Sequence, residues 1–87
     1  MPAVARIGDS SDHGGVIISG SSTVFADGIG VCRLGDQHSC PIPGHGITNM
    51  VSSSTNVFAD NKGVCRVGDV AGCGAKISSG SLTTKAD

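Results

Sequence analysis

The sequence predicts an all-β fold built from three β-repeats with pseudo-threefold symmetry and little or no helix. One observation is internal repetition, since a tetrapeptide and a block that follows it each occur three times. A second is that Val and Ile dominate the apolar residues, since β-branched side chains fit a pleated sheet better than a helix. The third is that Gly or Pro interrupts nearly every window in which apolar residues could follow a helical period.

The repetition has two parts. A tetrapeptide of the form Arg-x-Gly-Asp occurs at Arg6–Asp9, Arg33–Asp36 and Arg66–Asp69. A Ser-rich block follows each copy, at Ile18–Asp27, Val51–Asp60 and Ser78–Asp87. The middle copy is longer than the others between Asp36 and Ser52, which indicates an accepted insertion. We therefore predict a single domain, 1–87, with repeats at approximately 1–27, 28–60 and 61–87.

Each repeat is predicted to contain a strand that ends at Arg-x-Gly-Asp, a loop, a strand such as Val16–Ile18, and a short strand that ends near Phe25. Asp27-Gly28 is predicted to form a hairpin turn, and Asn61 to act similarly in the next repeat. One such unit cannot bury its own apolar face, so the copies must pack on one another. The segment Ala3–Arg6 is predicted to complete the third copy and so to close a ring.

Two of the four cysteines, Cys32 and Cys65, occupy matching Gly-Val-Cys-Arg contexts. We predict that they are small buried core residues. The segment Met1–Arg6 has no basic stretch followed by an apolar core, so no signal peptide is predicted and synthesis in the cytoplasm is expected. Cysteines in that setting are expected to be reduced thiols or metal ligands rather than disulfides.

A metal site is predicted in the loops after the Arg-x-Gly-Asp tetrapeptides. These three loops contain all the histidines and the remaining cysteines, namely His13, His38, Cys40, His45 and Cys73. If the loops converge near a pseudo-threefold axis, imidazole and thiolate groups meet in a tetrahedral site that suits Zn²⁺. We predict one structural zinc ion. His13, His45 and Cys73 are the firmer ligands, and the fourth is His38 or Cys40, of which repeat register favours Cys40.

Composition excludes several classes of function. Glu is absent, six of the seven Asp occupy repeated turn positions, and no Gly-x-Ser-x-Gly motif is present, so an enzyme is not predicted. The net charge of −1 does not supply the basic field that nucleic-acid binding requires. No apolar run is long enough to span a membrane.

The tetrapeptides and the residues that precede them resemble the proline-alanine-alanine-arginine (PAAR) repeat family. The preceding segments are Ala3–Ala5, Gly30–Cys32 and Gly63–Cys65. The loops Asp12–Gly15, His38–Pro41 and Gly72–Ala75 strengthen the resemblance, which covers the whole chain. The chain departs from the family by having Cys at the second Ala position, and by lacking the Pro, in the second and third copies.

The resemblance implies a small cone that binds zinc near its apex and docks by its base on a trimeric β-helical spike, one tip per trimer. Such spikes belong to type VI secretion systems and contractile phage tails. The implied function is a metal-stabilised tip that helps to pierce a target membrane, which it contacts transiently, and to deliver effector proteins. The tip would be ejected from the cell or particle. No toxin extension is expected.

The resemblance also bears on the fourth metal ligand. The family site commonly has three His and one Cys, which implies the set His13, His38, His45 and Cys73, with Cys40 as the alternative to His38. Two other functions remain open at the level of sequence. One is a small cytosolic zinc-binding adaptor outside any spike; the other, which the absence of a signal peptide disfavours, is a secreted disulfide-bonded domain.

Overall fold

The computed structural model describes all residues, 1–87, and contains no helix. The all-β prediction is therefore confirmed. Seven short strands are present: β1 Val16–Ile17, β2 Phe25–Ala26, β3 Ile29–Gly30, β4 Gln37–Cys40, β5 Gly46–Asn49, β6 Phe58–Ala59 and β7 Lys62–Gly63. The overall dimensions are 32 × 23 × 21 Å, so one axis is longer than two nearly equal ones. Nothing in the chain forms an apolar helix with the length needed to cross a membrane.

Three antiparallel sheets organise these strands, in the orders β1-β4-β5, β2-β3 and β6-β7. The two hairpins turn at Asp27-Gly28 and Asp60-Asn61, as predicted. Both central residues of each turn have positive φ, 55° and 76° in the first and 52° and 65° in the second. Tight two-residue hairpins require this conformation because its twist matches that of the flanking strands.

The middle copy differs from the prediction. A loop was expected after Asp36, but Gln37–Cys40 and Gly46–Asn49 form strands β4 and β5. The inserted residues allow the chain to turn back and pair with itself, with Cys40 opposite Gly46 and His38 opposite Thr48. The corresponding pairings within the first and third copies are single bridges, Ser10 with Val16 and Val70 with Lys76.

A ring of three backbone hydrogen bonds joins the repeats at their centre. The N–H of Ala5 donates to the carbonyl of Cys65, that of Cys65 to Cys32, and that of Cys32 to Ala5, each over 2.9 Å. Both cysteines are fully buried, as predicted. Contact with the Cys65 thiol and then burial raise the pKa of the Cys32 thiol, so this sulfur stays protonated. These cysteines are core residues.

The N-terminal segment completes the third repeat. Val4 donates to the carbonyl of Thr84 and Ala86 donates to the carbonyl of Pro2, each over 3.0 Å. Ala3 and Lys85 pair in antiparallel register. The predicted closure of the ring is thus present. The pairing of Ala3 with Lys85 takes the place in the third repeat that the β2-β3 and β6-β7 hairpins take in the other two.

The Arg-x-Gly-Asp tetrapeptides are ionic turns. In the first copy the Asp9 N–H donates to the Arg6 carbonyl at 3.0 Å, and Gly8 between them has a φ of 90°. The Asp9 carboxylate accepts from the backbone N–H of Arg6 at 2.7 Å and from its Nε at 3.0 Å. The other two copies make the same contacts. The repeated spacing of Arg and Asp is therefore explained by the hydrogen bonds that close each turn.

Hydrophobic packing is thin. The two core clusters consist mostly of Ala, Val and Cys with a few larger side chains. Both phenylalanines are exposed, at 55% for Phe25 and 60% for Phe58. A chain of this size buries a limited fraction of its surface, so polar ties or a metal are expected to carry part of its stability.

Candidate metal centre

Four side chains that can bind a metal come together from all three repeats. His13 lies in the loop between the first ionic turn and β1, and Cys73 lies in the corresponding loop of the third repeat. Cys40 is the last residue of β4, and His45 immediately precedes β5. The insertion in the middle repeat thus supplies two of the four side chains, because its hairpin returns the chain to the same place.

A glycine with positive φ follows three of these residues. Gly14, Gly46 and Gly74 have φ angles of 79°, 59° and 91°. Residues with a Cβ rarely adopt this conformation. The chain therefore turns sharply immediately after each ligand-type side chain, which lets three separate loops present a side chain to one point.

The donor atoms are close together. Cys40 Sγ lies 3.7 Å from His13 Nδ1 and 3.4 Å from His45 Nδ1. Cys73 Sγ lies 4.0 Å from His13 Nδ1. All four donor atoms lie within 4.8 Å of one another.

This geometry fits a tetrahedral ion. Bonds of about 2.0–2.3 Å to nitrogen and sulfur place the ligands of a tetrahedral site roughly 3.3–3.8 Å apart. The three distances around Cys40 and His13 fall in or just beyond this range. The group His13, Cys40, His45 and Cys73 could therefore hold a metal ion with little movement.

The structure places His38 elsewhere. The set implied by resemblance included His38, but the four gathered side chains include Cys40, which repeat register had favoured. His38 lies two residues before Cys40 on the same strand, about 6.6 Å away along the chain. Its Nε2 is 2.8 Å from the Ser11 hydroxyl, the ring is fully buried, and Nδ1 has no hydrogen-bond partner.

Contacts around His38 explain its place. It is the repeat counterpart of Ser11 and Ala71, and all three are buried. Its ring packs against Gly15, where a Cβ would lie 2.8 Å from the imidazole and 2.2 Å from the Ser39 carbonyl. Burial, and then the nearby His13, lower the pKa of His38 and favour the neutral ring.

Outer contacts support two of the four side chains. Asp12 Oδ1 lies 3.9 Å from His13 Nε2 and accepts from the Lys76 N–H at 2.9 Å, which ties the first loop to the third repeat. Burial raises the pKa of the Cys73 thiol, but the backbone N–H of Ala75 favours the thiolate. The pKa therefore lies below its usual value, which favours metal binding.

A comparison with known families agrees with this architecture. A family model described as the PAAR motif matches residues 7–79 of the 87-residue chain. No curated protein is similar enough to count as a match. Because the family model spans most of the chain, the protein belongs to the PAAR motif family. Proteins of this family are structural spike-tip proteins of secretion or phage machines rather than enzymes.

Proposed function

We propose that this chain is the metal-stapled tip of a contractile injection machine, and that it caps the end of a trimeric β-helical spike. The observation that supports this proposal most directly is the convergence of His13, Cys40, His45 and Cys73 from three repeats in a member of the PAAR motif family. In this role the tip helps the spike to pierce a target membrane and to deliver effector proteins.

Zinc is the metal that the donor set favours. Two imidazoles and two thiolates match the ligands of structural zinc sites, whereas Mg²⁺ and Ca²⁺ prefer oxygen. Four protein donors fill a tetrahedral shell and leave no position for a reactive water. One structural zinc per chain follows, and no catalytic step is assigned to it.

A metal is well suited to a molecule with so small a core. Structural zinc contributes apparent binding free energies of about 10–16 kcal/mol in small domains, and that free energy stabilises the folded state. Here the four donors come from loops of all three repeats. The metal would hold the loops of all three repeats in one rigid unit.

The three repeats also suit a threefold partner. Equivalent residues of the three repeats meet around the ring formed by Ala5, Cys32 and Cys65. A pseudo-threefold chain can therefore contact three identical subunits of a spike through three similar edges. The tip would be made in the cytoplasm, assembled on the spike, and ejected with it.

The test combines metal analysis with spike binding. The purified chain, prepared without chelator, is expected to carry about one zinc by elemental analysis and to co-elute with a purified trimeric β-helical spike protein. Absence of a transition metal would remove the zinc claim. A zinc-loaded chain that binds no spike trimer would instead favour a small zinc-binding adaptor.

A further inference from the structure

The metal group contains two cysteines from different repeats, and their sulfur atoms are close to each other. Cys40 Sγ and Cys73 Sγ lie within 4.8 Å, and they are 3.7 Å and 4.0 Å from the same nitrogen, His13 Nδ1. The sulfurs of a disulfide are about 2.05 Å apart. The two sulfurs therefore need to approach each other by at most about 2.8 Å to form a bond.

The backbone on both sides of this pair leaves room for that movement. Cys73 lies between Gly72 and Gly74, and a Cβ added at Gly74 would meet nothing within 4 Å. Cys40 is the last residue of β4, and the residues that follow it, 41–44, are exposed. Either segment can therefore adjust without breaking the pairing of a strand on both of its sides.

Exposure separates this pair from the other two thiols. All four cysteines are free, but Cys32 and Cys65 are fully buried at the centre of the ring. Cys73 is half-buried, and Cys40 is 6% exposed. A reagent in the surrounding water therefore reaches Cys73 first, and Cys40 is the thiol that lies next to it.

We propose that Cys40 and Cys73 are a redox-sensitive pair, and that a low-molecular-weight disulfide such as oxidised glutathione couples them and displaces the metal. Coupling of the two sulfurs rests only on their positions. Displacement of the metal rests in addition on the zinc site of the proposed function, because the same two thiolates supply half of its donors.

The reaction is thiol–disulfide exchange in two steps. The Cys73 thiolate attacks one sulfur of the small disulfide, which forms a mixed disulfide and releases one small thiolate. The Cys40 thiolate then attacks the Cys73 sulfur, which forms the Cys40–Cys73 bond and releases the second small thiolate. The protein thus loses two electrons and the small disulfide gains them. Only His13 and His45 then remain of the four donors, too few for a stable tetrahedral site.

The two states tie the chain together differently. The metal group takes donors from all three repeats, whereas a bond between Cys40 and Cys73 joins only the second and third. Thiols persist in a reducing compartment and disulfides in an oxidising one. A tip that leaves the cytoplasm would therefore exchange its metal for a covalent link and free the loop of His13.

The experiment treats the zinc-loaded full chain with excess oxidised glutathione. About one zinc per chain should be released to a colorimetric chelator, while the free thiols counted in denaturant fall from four to about two. Trypsin cleaves after Lys and Arg and so places the four cysteines in four different peptides, 7–33, 34–62, 63–66 and 67–76. Mass spectrometry should show peptide 34–62 linked to peptide 67–76, and dithiothreitol should restore zinc binding.

Two variants test the order of the steps and the choice of thiols. Cys40→Ser should stop at the mixed disulfide, with glutathione on peptide 67–76 and no cross-link. The matched change Cys65→Ala, which removes a shielded thiol, should form the cross-link at the wild-type rate. Glutathione on both Cys40 and Cys73 without a cross-link would show that the sulfurs cannot meet, and a cross-link that includes peptide 7–33 or 63–66 would place the reaction at the core thiols. Either result overturns the proposal.

The same treatment of chelator-treated chain separates this inference from the zinc claim. A cross-link that forms in the metal-free chain but not in the zinc-loaded one would overturn displacement of the metal. A chain that contains no metal as purified, yet forms the cross-link, would refute the zinc claim and support the coupling of Cys40 with Cys73. A zinc-containing chain that forms no cross-link in either state would refute the coupling and leave the zinc site in place.

Discussion

The imidazole of His38 and the hydroxyl of Ser11 are joined over 2.8 Å between Nε2 and Oγ, inside the protein. Each residue lies two positions before a member of the metal group, Ser11 before His13 and His38 before Cys40. The contact therefore joins the two chain segments that carry His13 and Cys40. We therefore expect His38 to position the metal group rather than to bind the metal itself.

Replacement of His38 separates these two roles. His38→Ala should retain one metal per chain but weaken metal affinity about 10- to 100-fold, the usual cost of losing a contact that orients ligands. Metal affinity is measured by competition with a chelator of known affinity. His38→Gln, which can still reach Ser11 with an amide, should recover part of the loss. A folded His38→Ala protein that contains no metal would show that His38 is a ligand.

The four cysteines provide a matched set. Cys40→Ala and Cys73→Ala should remove the metal, since each takes away one of four donors. Cys32→Ala and Cys65→Ala should retain it and lower the free energy of unfolding by only about 1 kcal/mol, because each removes a small buried group. Metal content and urea unfolding are measured on the same samples. Loss of metal in either core variant would contradict the division.

Metal removal should loosen the fold more than any single substitution. Chelation is expected to lower the melting temperature of the wild type by well over about 10 °C, given the contribution of structural zinc and the size of the domain. The same chelator should leave the melting temperature of Cys73→Ala unchanged. Variants of the metal group that still fold should keep affinity for the spike trimer. The reason is that the family resemblance implies docking by the base of the cone, at the end opposite the metal group. An unchanged wild-type melting temperature would refute the claim that bound metal stabilises the fold.

Backbone conformation at the site is tested at Gly46, where φ is 59° and a Cβ would meet nothing within 4 Å. Gly46→Ala should destabilise the protein by about 1–2 kcal/mol, the cost of a left-handed conformation for a residue with a Cβ. Gly46→Asn should cost less, because Asn tolerates this conformation. Equal losses in thermal unfolding would indicate a steric cause instead.

Acid should weaken the ionic turns. Burial raises the pKa of Asp69, but hydrogen bonds from Arg66 outweigh it and hold the pKa below its ordinary value of 3.8. The stabilisation from this turn is therefore fully present above about pH 4 and is lost as the pH falls through the lowered pKa of the folded state. Melting temperatures of the metal-free protein between about pH 6 and pH 2 should show a smaller acid loss for Asp69→Asn than for the wild type. Parallel curves would contradict this assignment.

The sequence was sufficient to predict the β class, the ring closure and the hairpin turns, since each depends on a repeated local pattern. It also predicted the burial of Cys32 and Cys65, because matching contexts occupy matching positions. The hairpin formed by β4 and β5 was not predicted, because Gln37–Cys40 contains no β-branched residue and pairs only through its partner strands. Repeat register favoured Cys40, which lies in the gathered group, whereas the family resemblance pointed to His38, which lies two residues earlier on the same strand.

The three bonds around Ala5, Cys32 and Cys65 have a mechanical consequence. They form a closed ring in which each repeat takes part in two of the three bonds. Outward movement of any one repeat would therefore break two hydrogen bonds. When a pointed body meets resistance, thrust along its length becomes tension around its girth. If the chain serves as the proposed tip, that tension would fall on these three backbone bonds, which join fully buried residues.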